Sequence, residues 1–342
     1  MSTRSELGES PRVVEAILGD ARGQIAAVAS AFRSRSIDLV VIAARGTSDH
    51  AALYGQYVLG ARNRLLVAPA APSLVSLYGA PPRLRNALVI GISQSGQSPD
   101  VVAYVADSRN QGALTVAVTN DANSDLAAAA ELVVELCADP EVAVAATKTY
   151  VAEVAVLAVL SSMLSADPAS RDELRIIPSA LRIALAREAE IARVAEHWAG
   201  EDRCVVIARG FQYATAREWA LKLKELANVL ADPYSAADFQ HGPIALVREG
   251  FPVLAVATSG AALNGMAELL GRLRVAKARL LVLTDDDSLA EGSDDLRVPP
   301  VPEWLAPLVA IVPAQLFAYH LSRARGLDTE TPPNITKVTR TL

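Results

Sequence analysis

Two stretches decide the fold: DLVVIAA (Asp38–Ala44), followed by Arg45-Gly46-Thr47-Ser48, and DRCVVIA (Asp202–Ala208), followed by Arg209-Gly210. Each is a short, β-branched apolar run stopped by an Arg-Gly turn, which reads as a strand running into a loop. They lie about 164 positions apart, from 38 to 202. Two more strand ends repeat in nearly the same register. Val89–Ser93 with Gln94-Ser95-Gly96 is matched by Val253–Ala257 with Thr258-Ser259-Gly260, and Leu114–Val118 with Thr119-Asn120 by Leu280–Leu283 with Thr284-Asp285. Three matched strand ends predict a tandem duplication of one unit.

Within the first unit, further strands are expected near Leu65–Val67, Leu88–Ile92 and Leu132–Leu136. Helices are expected over Asp49–Leu59, Pro99–Gln111 and Thr147–Leu164. Alternating strands and helices predict an α/β fold of two doubly wound parallel sheets. The boundaries follow: a helical arm over 1–35, a first domain over 36–185, a second over 186–328, and a tail over 329–342. Pro11 to Ser34 is expected to be helical, with Ser10 as cap.

With 342 residues, half of them apolar and a fifth charged, the chain can bury two cores. Its net charge of -6 lacks the basic footprint of a nucleic-acid binder. Cys137 and Cys204 are too few for a disulfide framework, which points to a reducing cytoplasm. No apolar signal core precedes the first strand. Leu305 to Ser322 is uncharged but carries Pro307 and Pro313, and is expected to be a buried helix broken by prolines, not a membrane span.

In open parallel sheets, ligands sit beyond the carboxyl ends of the strands. Thr47 and Ser48 on one turn, and Ser93, Gln94, Ser95 and Ser98 on the next, offer hydroxyls at that edge. Ser98-Pro99-Asp100 has the chemistry of a helix start, so unpaired N–H groups face the same turn. Hydroxyls and helix-start amides suit a phosphate monoester, although such residues also build ordinary tight turns. Phe211 and Gln212 replace Thr47 and Ser48 in the second repeat, which is expected to hold no anion.

Glu218, Lys222 and Glu225 fall on one face of a predicted helix, followed by a turn-rich passage ending in His241-Gly242-Pro243. Taken alone, this is a solvated stripe worth roughly 0.2–0.5 kcal/mol per ion pair.

Together, ARGTS, SQSGQS, AVAATKTY, EWALKLKE, FQHGPIAL and the tail PPNITK resemble the sugar isomerase (SIS) domain family, specifically the isomerase half of glucosamine-6-phosphate synthases and stand-alone relatives. The resemblance runs from about residue 9 to the C-terminus. It implies flavodoxin-like SIS domains, and a homodimer whose sites include a partner's histidine. It places Thr47, Ser48, Ser93, Gln94, Ser95 and Ser98 at the sugar phosphate and Val144 at a backbone contact. Glu225 matches the base that moves a proton between C1 and C2, His241 the ring-opening group, and Lys337 the tail lysine at the sugar carbonyl. Glu218 and Lys222 match supporting residues.

Aldose–ketose chemistry needs a ring-opening acid/base, a shuttling base and a cation near the enediol oxygen, and this scheme calls for no metal or cofactor. Three departures bear on substrate choice: Ala146 for serine, Pro333 for arginine, and Asp238 for glutamate. The roughly 35 residues before the first strand are too few for a glutaminase domain. The expected activity is conversion of an amino-sugar 6-phosphate such as glucosamine 6-phosphate to fructose 6-phosphate and ammonia. Rivals are a plain aldose–ketose isomerase on a hexose 6-phosphate, a fructosamine-phosphate deglycase, an ammonia-dependent synthase, and a non-catalytic sugar-phosphate sensor. No nucleic acid or membrane partner is expected.

Overall fold

The computed structural model describes residues 2–165, 167–292 and 294–337. Two five-stranded sheets form, every strand pair parallel. The first contains β1 (Leu39–Ala43), β2 (Leu66–Pro69), β3 (Ala87–Ile92), β4 (Leu114–Thr119) and β5 (Leu132–Glu135), in the order β2-β1-β3-β4-β5. The second contains β6 (Arg203–Ala208), β7 (Leu230–Ser235), β8 (Pro252–Val256), β9 (Arg279–Thr284) and β10 (Leu296–Arg297), in the order β10-β9-β8-β6-β7. Counted within each half, both orders read 2-1-3-4-5, so the duplication extends to topology. β3 and β4 are buried at every position, as parallel strands covered by helices on both faces must be.

The chain divides into two compact units. One, with the first sheet, comprises residues 12–142, 148–175 and the tail from 336. The other, with the second sheet, comprises residues 2–11, 143–147 and 176–335. The helical lead-in is therefore shared. Arg22–Arg33 lays Ile25, Val28 and Ala29 inside the first unit, and Thr3–Gly8 belongs to the second. The single helix expected over 11–34 is two, Ser10–Gly19 and Arg22–Arg33. Ser10 is not a cap: it lies inside its helix and donates its hydroxyl to the Leu7 carbonyl at 2.8 Å.

The apolar run near residue 305 is also corrected. Ala306–Ala324 is one unbroken helix. Pro307 occupies the first turn, where an N–H would be unpaired anyway, and Pro313 lies mid-helix. Burial all round compensates the lost bond: Trp219 meets the Phe317 edge at 5.6 Å and Trp198 meets it at 6.5 Å. The helix is long and apolar enough to cross a membrane, but 94% of its most apolar stretch is buried. β7 was not expected, because LADPYS carries Pro233. As an edge strand it needs a partner on one side only, which tolerates the missing N–H.

Candidate active site

In the first unit the strand order reverses between β1 and β3, and the two hydroxyl-bearing turns leave the sheet there. Gly46, at φ +56° and ψ -127°, opens helix Thr47–Asn63 without a side-chain cap. Ser98 opens helix Pro99–Asn110, and its hydroxyl does not cap either; it lies 3.3 Å from the Ser93 hydroxyl. Neither helix start is capped by the side chain of its cap residue, although the Val101 N–H of the second donates to Asp100 Oδ1 at 2.9 Å; uncapped first-turn N–H groups at one sheet edge are the arrangement that favours an anion. Ser48 points elsewhere. Its hydroxyl donates to Glu153 Oε1 at 2.7 Å, so it has no proton left for a ligand in this state. Ser95 accepts the Gln97 N–H, and the Gln94 carbonyl accepts the Asn120 N–H, which ties the loop to the end of β4.

Gly96 is required on two counts: its φ is +64°, and a Cβ there would lie 2.0 Å from Ser124 Oγ. Gly96→Ala is expected to cost about 2–4 kcal/mol from overpacking and left-handed strain. Denaturant unfolding checks this, and an unchanged midpoint would contradict it. Arg45 clamps the two turns together, with Nε 2.7 Å and Nη2 2.6 Å from Oδ2 of the buried Asp100. A cavity of about 490 Å³ adjoins the loop, lined by residues including Gln94, Ser95, Gln97, Asn120 and Asp121. Lys337 reaches the same unit, where Nζ donates to Glu141 Oε2 at 2.8 Å; that oxygen also accepts the Thr149 hydroxyl at 2.7 Å. Val144 is half-buried in the neighbouring 143–147 loop. Residues 338–342 of the expected tail lie outside the described residues.

In the second unit, helix Gln212–Ala227 carries the charged face, and the solvated-stripe reading fails there. Glu218 and Lys222 are both fully buried. Lys222 Nζ is 3.3 Å from Glu218 Oε1 and 2.5 Å from Glu225 Oε2, while the Glu225 side chain keeps 22% exposure. Burial alone would pull the Lys222 pKa down; the charges of Glu218 and Glu225, with their hydrogen bonds, outweigh it and hold the ammonium above the ordinary lysine value. A fixed cation therefore grips one oxygen of a carboxylate whose other face meets solvent. His241 ends helix Ala236–Gln240 and is exposed, and among the described residues its ring makes no hydrogen bond. Among the described residues no hydrogen bond joins it to Glu218, Lys222 or Glu225.

At the corresponding edge of the second sheet, a Cβ on Gly260 would lie 2.1 Å from Glu303 Cδ. A carboxylate thus packs on the turn where the first repeat has the Ser124 hydroxyl against Gly96, and Gln212 Nε2 donates to Thr258 Oγ1 at 3.1 Å. Like charge disfavours an anion there.

The SIS domain model matches residues 35–163 and 198–324, one match per sheet. This chain belongs to the SIS domain family. Among its relatives, a Thermococcus kodakarensis glutamine–fructose-6-phosphate aminotransferase (isomerizing) is 34% identical over 97% of this chain and 56% of its own length. The chain therefore spans about half the length of such curated relatives. A protein from Silicibacter pomeroyi DSS-3 assigned as a phosphosugar isomerase superposes with TM-score 0.84 at 32% identity, covering 96% of this chain and 100% of that one. The C-terminal domain of a glucosamine-fructose-6-phosphate aminotransferase from Francisella tularensis superposes with TM-score 0.85 at 22% identity, covering 96% and 98%, and so shares the SIS fold.

Three features of these edges escaped the sequence: the Arg45–Asp100 clamp, the Ser48–Glu153 bond and the Glu303 cover. Each joins residues 43 or more positions apart in the chain. Only the Arg before Gly46 and the Asp after Pro99 could have hinted at the first.

Proposed function

We propose that this SIS-family chain is a phosphosugar isomerase acting on an amino-sugar 6-phosphate, converting glucosamine 6-phosphate and water to fructose 6-phosphate and ammonia. The observation that carries this reading is the buried Lys222 bridging Glu218 and Glu225. Such a pair costs desolvation on both charges, and a solvated stripe would avoid that cost. What it achieves is a carboxylate with one oxygen fixed and the other able to take a proton. In the reaction, the ring opens to the aldehyde with His241 as acid/base. Glu225 then removes the C2 proton and, after exchange with solvent, delivers a proton to C1, which leaves an imine at C2 for water to hydrolyse. The uncapped turns at Gly46 and Ser98 hold the phosphate. Lys337, released from Glu141, steadies the developing negative charge on the carbonyl oxygen.

Lys222 serves as an anchor and not as a Schiff-base former. Borohydride reduction in the presence of glucosamine 6-phosphate is expected to leave Lys222 unmodified by peptide mass mapping, and an adduct on it would contradict the anchor role. The exposure of His241 fits a group offered to the site of a second copy, so the working form is proposed as a homodimer. A second reading, deglycation of a fructosamine 6-phosphate, is favoured by one observation. The cavity beside Gln94 also carries Asp121, Glu135 and Asp139 on its wall, which suits a cationic amine appended to the sugar.

One assay separates the readings: purified protein with glucosamine 6-phosphate, followed for both ammonia and ketose. Equal release of the two supports deamination. Ketose formed from an aldose phosphate without ammonia supports plain isomerisation, and tight binding without turnover would replace catalysis with sensing.

A further inference from the structure

Helix Thr3–Gly8 is only six residues long, yet two of its polar side chains, Thr3 and Glu6, are fully buried. Burying a carboxylate costs several kcal/mol unless its partners repay it, and a short helix that served only packing would place apolar residues there. The helix has a firm base in the second unit. Arg4 Nε and Nη2 donate to the two oxygens of Glu188 at 2.5 Å each, Glu188 Oε1 lies 3.1 Å from His320 Nε2, and Leu7 is buried. The Arg4 guanidinium, opposed by partial burial and helped by His320, holds the Glu188 carboxyl below the usual carboxylate range.

From that base the two buried side chains reach two different segments. The Thr3 N–H meets both oxygens of Glu330 at 3.1 and 3.0 Å, and the Thr3 hydroxyl donates to the Thr329 carbonyl at 3.2 Å. Glu6 Oε2 accepts the N–H of Ala143 at 3.0 Å. Both segments lead directly to residues of the proposed site. Glu330 stands seven positions before Lys337, and Ala143 lies between Glu141, the carboxylate that holds Lys337, and Val144.

We propose that the N-terminal helix is a positioning clasp: Thr3 fixes the start of the tail that carries Lys337, and Glu6 fixes the loop that carries Glu141 and Val144. Fixing one point is not enough to place the tail. Seven residues can span about 25 Å when extended, so a pin at Glu330 alone leaves Lys337 free to roam. Pro332 and Pro333 lock two φ angles and narrow that range. The Glu141 contact then sets the far end, and Glu6 sets the loop from which Glu141 projects. Thr3 and Glu6 are thus positioning residues, acting on the sugar-facing groups through Glu330 and Ala143. This inference rests on the reading of Lys337 as a site residue.

Amide hydrogen exchange on the substrate-free protein tests the clasp without relying on any activity. Glu330→Ala is expected to speed exchange across 329–337, and Glu6→Ala across 143–147, each by about tenfold, the worth of one hydrogen bond to a charged group. Peptides of helix Gln212–Ala227 should be unchanged. Unaltered exchange in the named segments, or a rise throughout the unit, overturns the clasp. Kinetics then test its purpose. Both alanine variants should lower kcat with KM nearly unchanged, and Glu6→Gln, which keeps an acceptor for Ala143, should restore it. In a Lys337→Ala background, Glu330→Ala should cause no further loss; a fully multiplicative loss would overturn the link to Lys337. If the unaltered protein turns over no phosphosugar, the exchange result still decides the clasp, and only the proposed function fails.

Discussion

Glu225→Gln is expected to lower kcat by about a thousandfold, the middle of the range for removing a general base, while the affinity for glucosamine 6-phosphate stays within a few-fold of the unaltered value. The reasoning is geometric. Glutamine keeps the shape and an acceptor for Lys222 Nζ, now 2.5 Å from Glu225 Oε2, but cannot take the C2 proton. The turns proposed to hold the phosphate belong to the first unit and are not altered by the change. Steady-state kinetics beside calorimetric titration of the variant give both numbers. Retained turnover would remove Glu225 from the base role, and a matching collapse in affinity would show that it binds sugar in the ground state.

The second large effect is on stability. Lys222→Met should cost about 3–5 kcal/mol, because it strands the fully buried Glu218 carboxylate without its cation. Glu225, at 22% side-chain exposure, can turn to water and adds less. The double variant Lys222→Met with Glu218→Leu should regain most of the lost stability, since well-packed apolar residues can replace a buried pair at little net cost, yet it should remain inactive. Denaturant unfolding and kcat report the two halves of this prediction. A stable, inactive single variant would mean that Glu218 protonates or finds another donor. The sign of the pH dependence follows from the raised Lys222 pKa. Its charge contributes fully below the ordinary lysine value and is lost only as the pH rises through the raised one, so the cluster keeps its cation throughout the neutral range.

How far the sequence could be read depended on whether the deciding interactions are local. Strand runs such as DLVVIAA and DRCVVIA are buried on both faces, so composition alone announces them, and their repeat register carried over to matching sheet orders. β7 was missed because its place is set by pairing with β6, not by its own residues, among them Pro233. The charged face of helix Gln212–Ala227 was correctly aligned but wrongly solvated. The i,i+4 spacing of Glu218 and Lys222 is identical on a surface and in a core, and what buries it is tertiary packing, including Trp219 against Phe317 98 positions later. Ser98 was correctly placed at a helix start, where its hydroxyl makes no capping bond and lies 3.3 Å from the Ser93 hydroxyl. Lys337 was placed at the sugar carbonyl by resemblance alone. Its contact with the buried Glu141 comes from 196 positions away and left no local trace.

The most direct test is to run the reaction in deuterium oxide with glucosamine 6-phosphate or fructose 6-phosphate and follow the C1 and C2 positions by NMR. Proton transfer through Glu225 predicts deuterium at those carbons with the unaltered protein and none with Glu225→Gln. Product formed at an undiminished rate by Glu225→Gln, with deuterium still entering, would contradict the account.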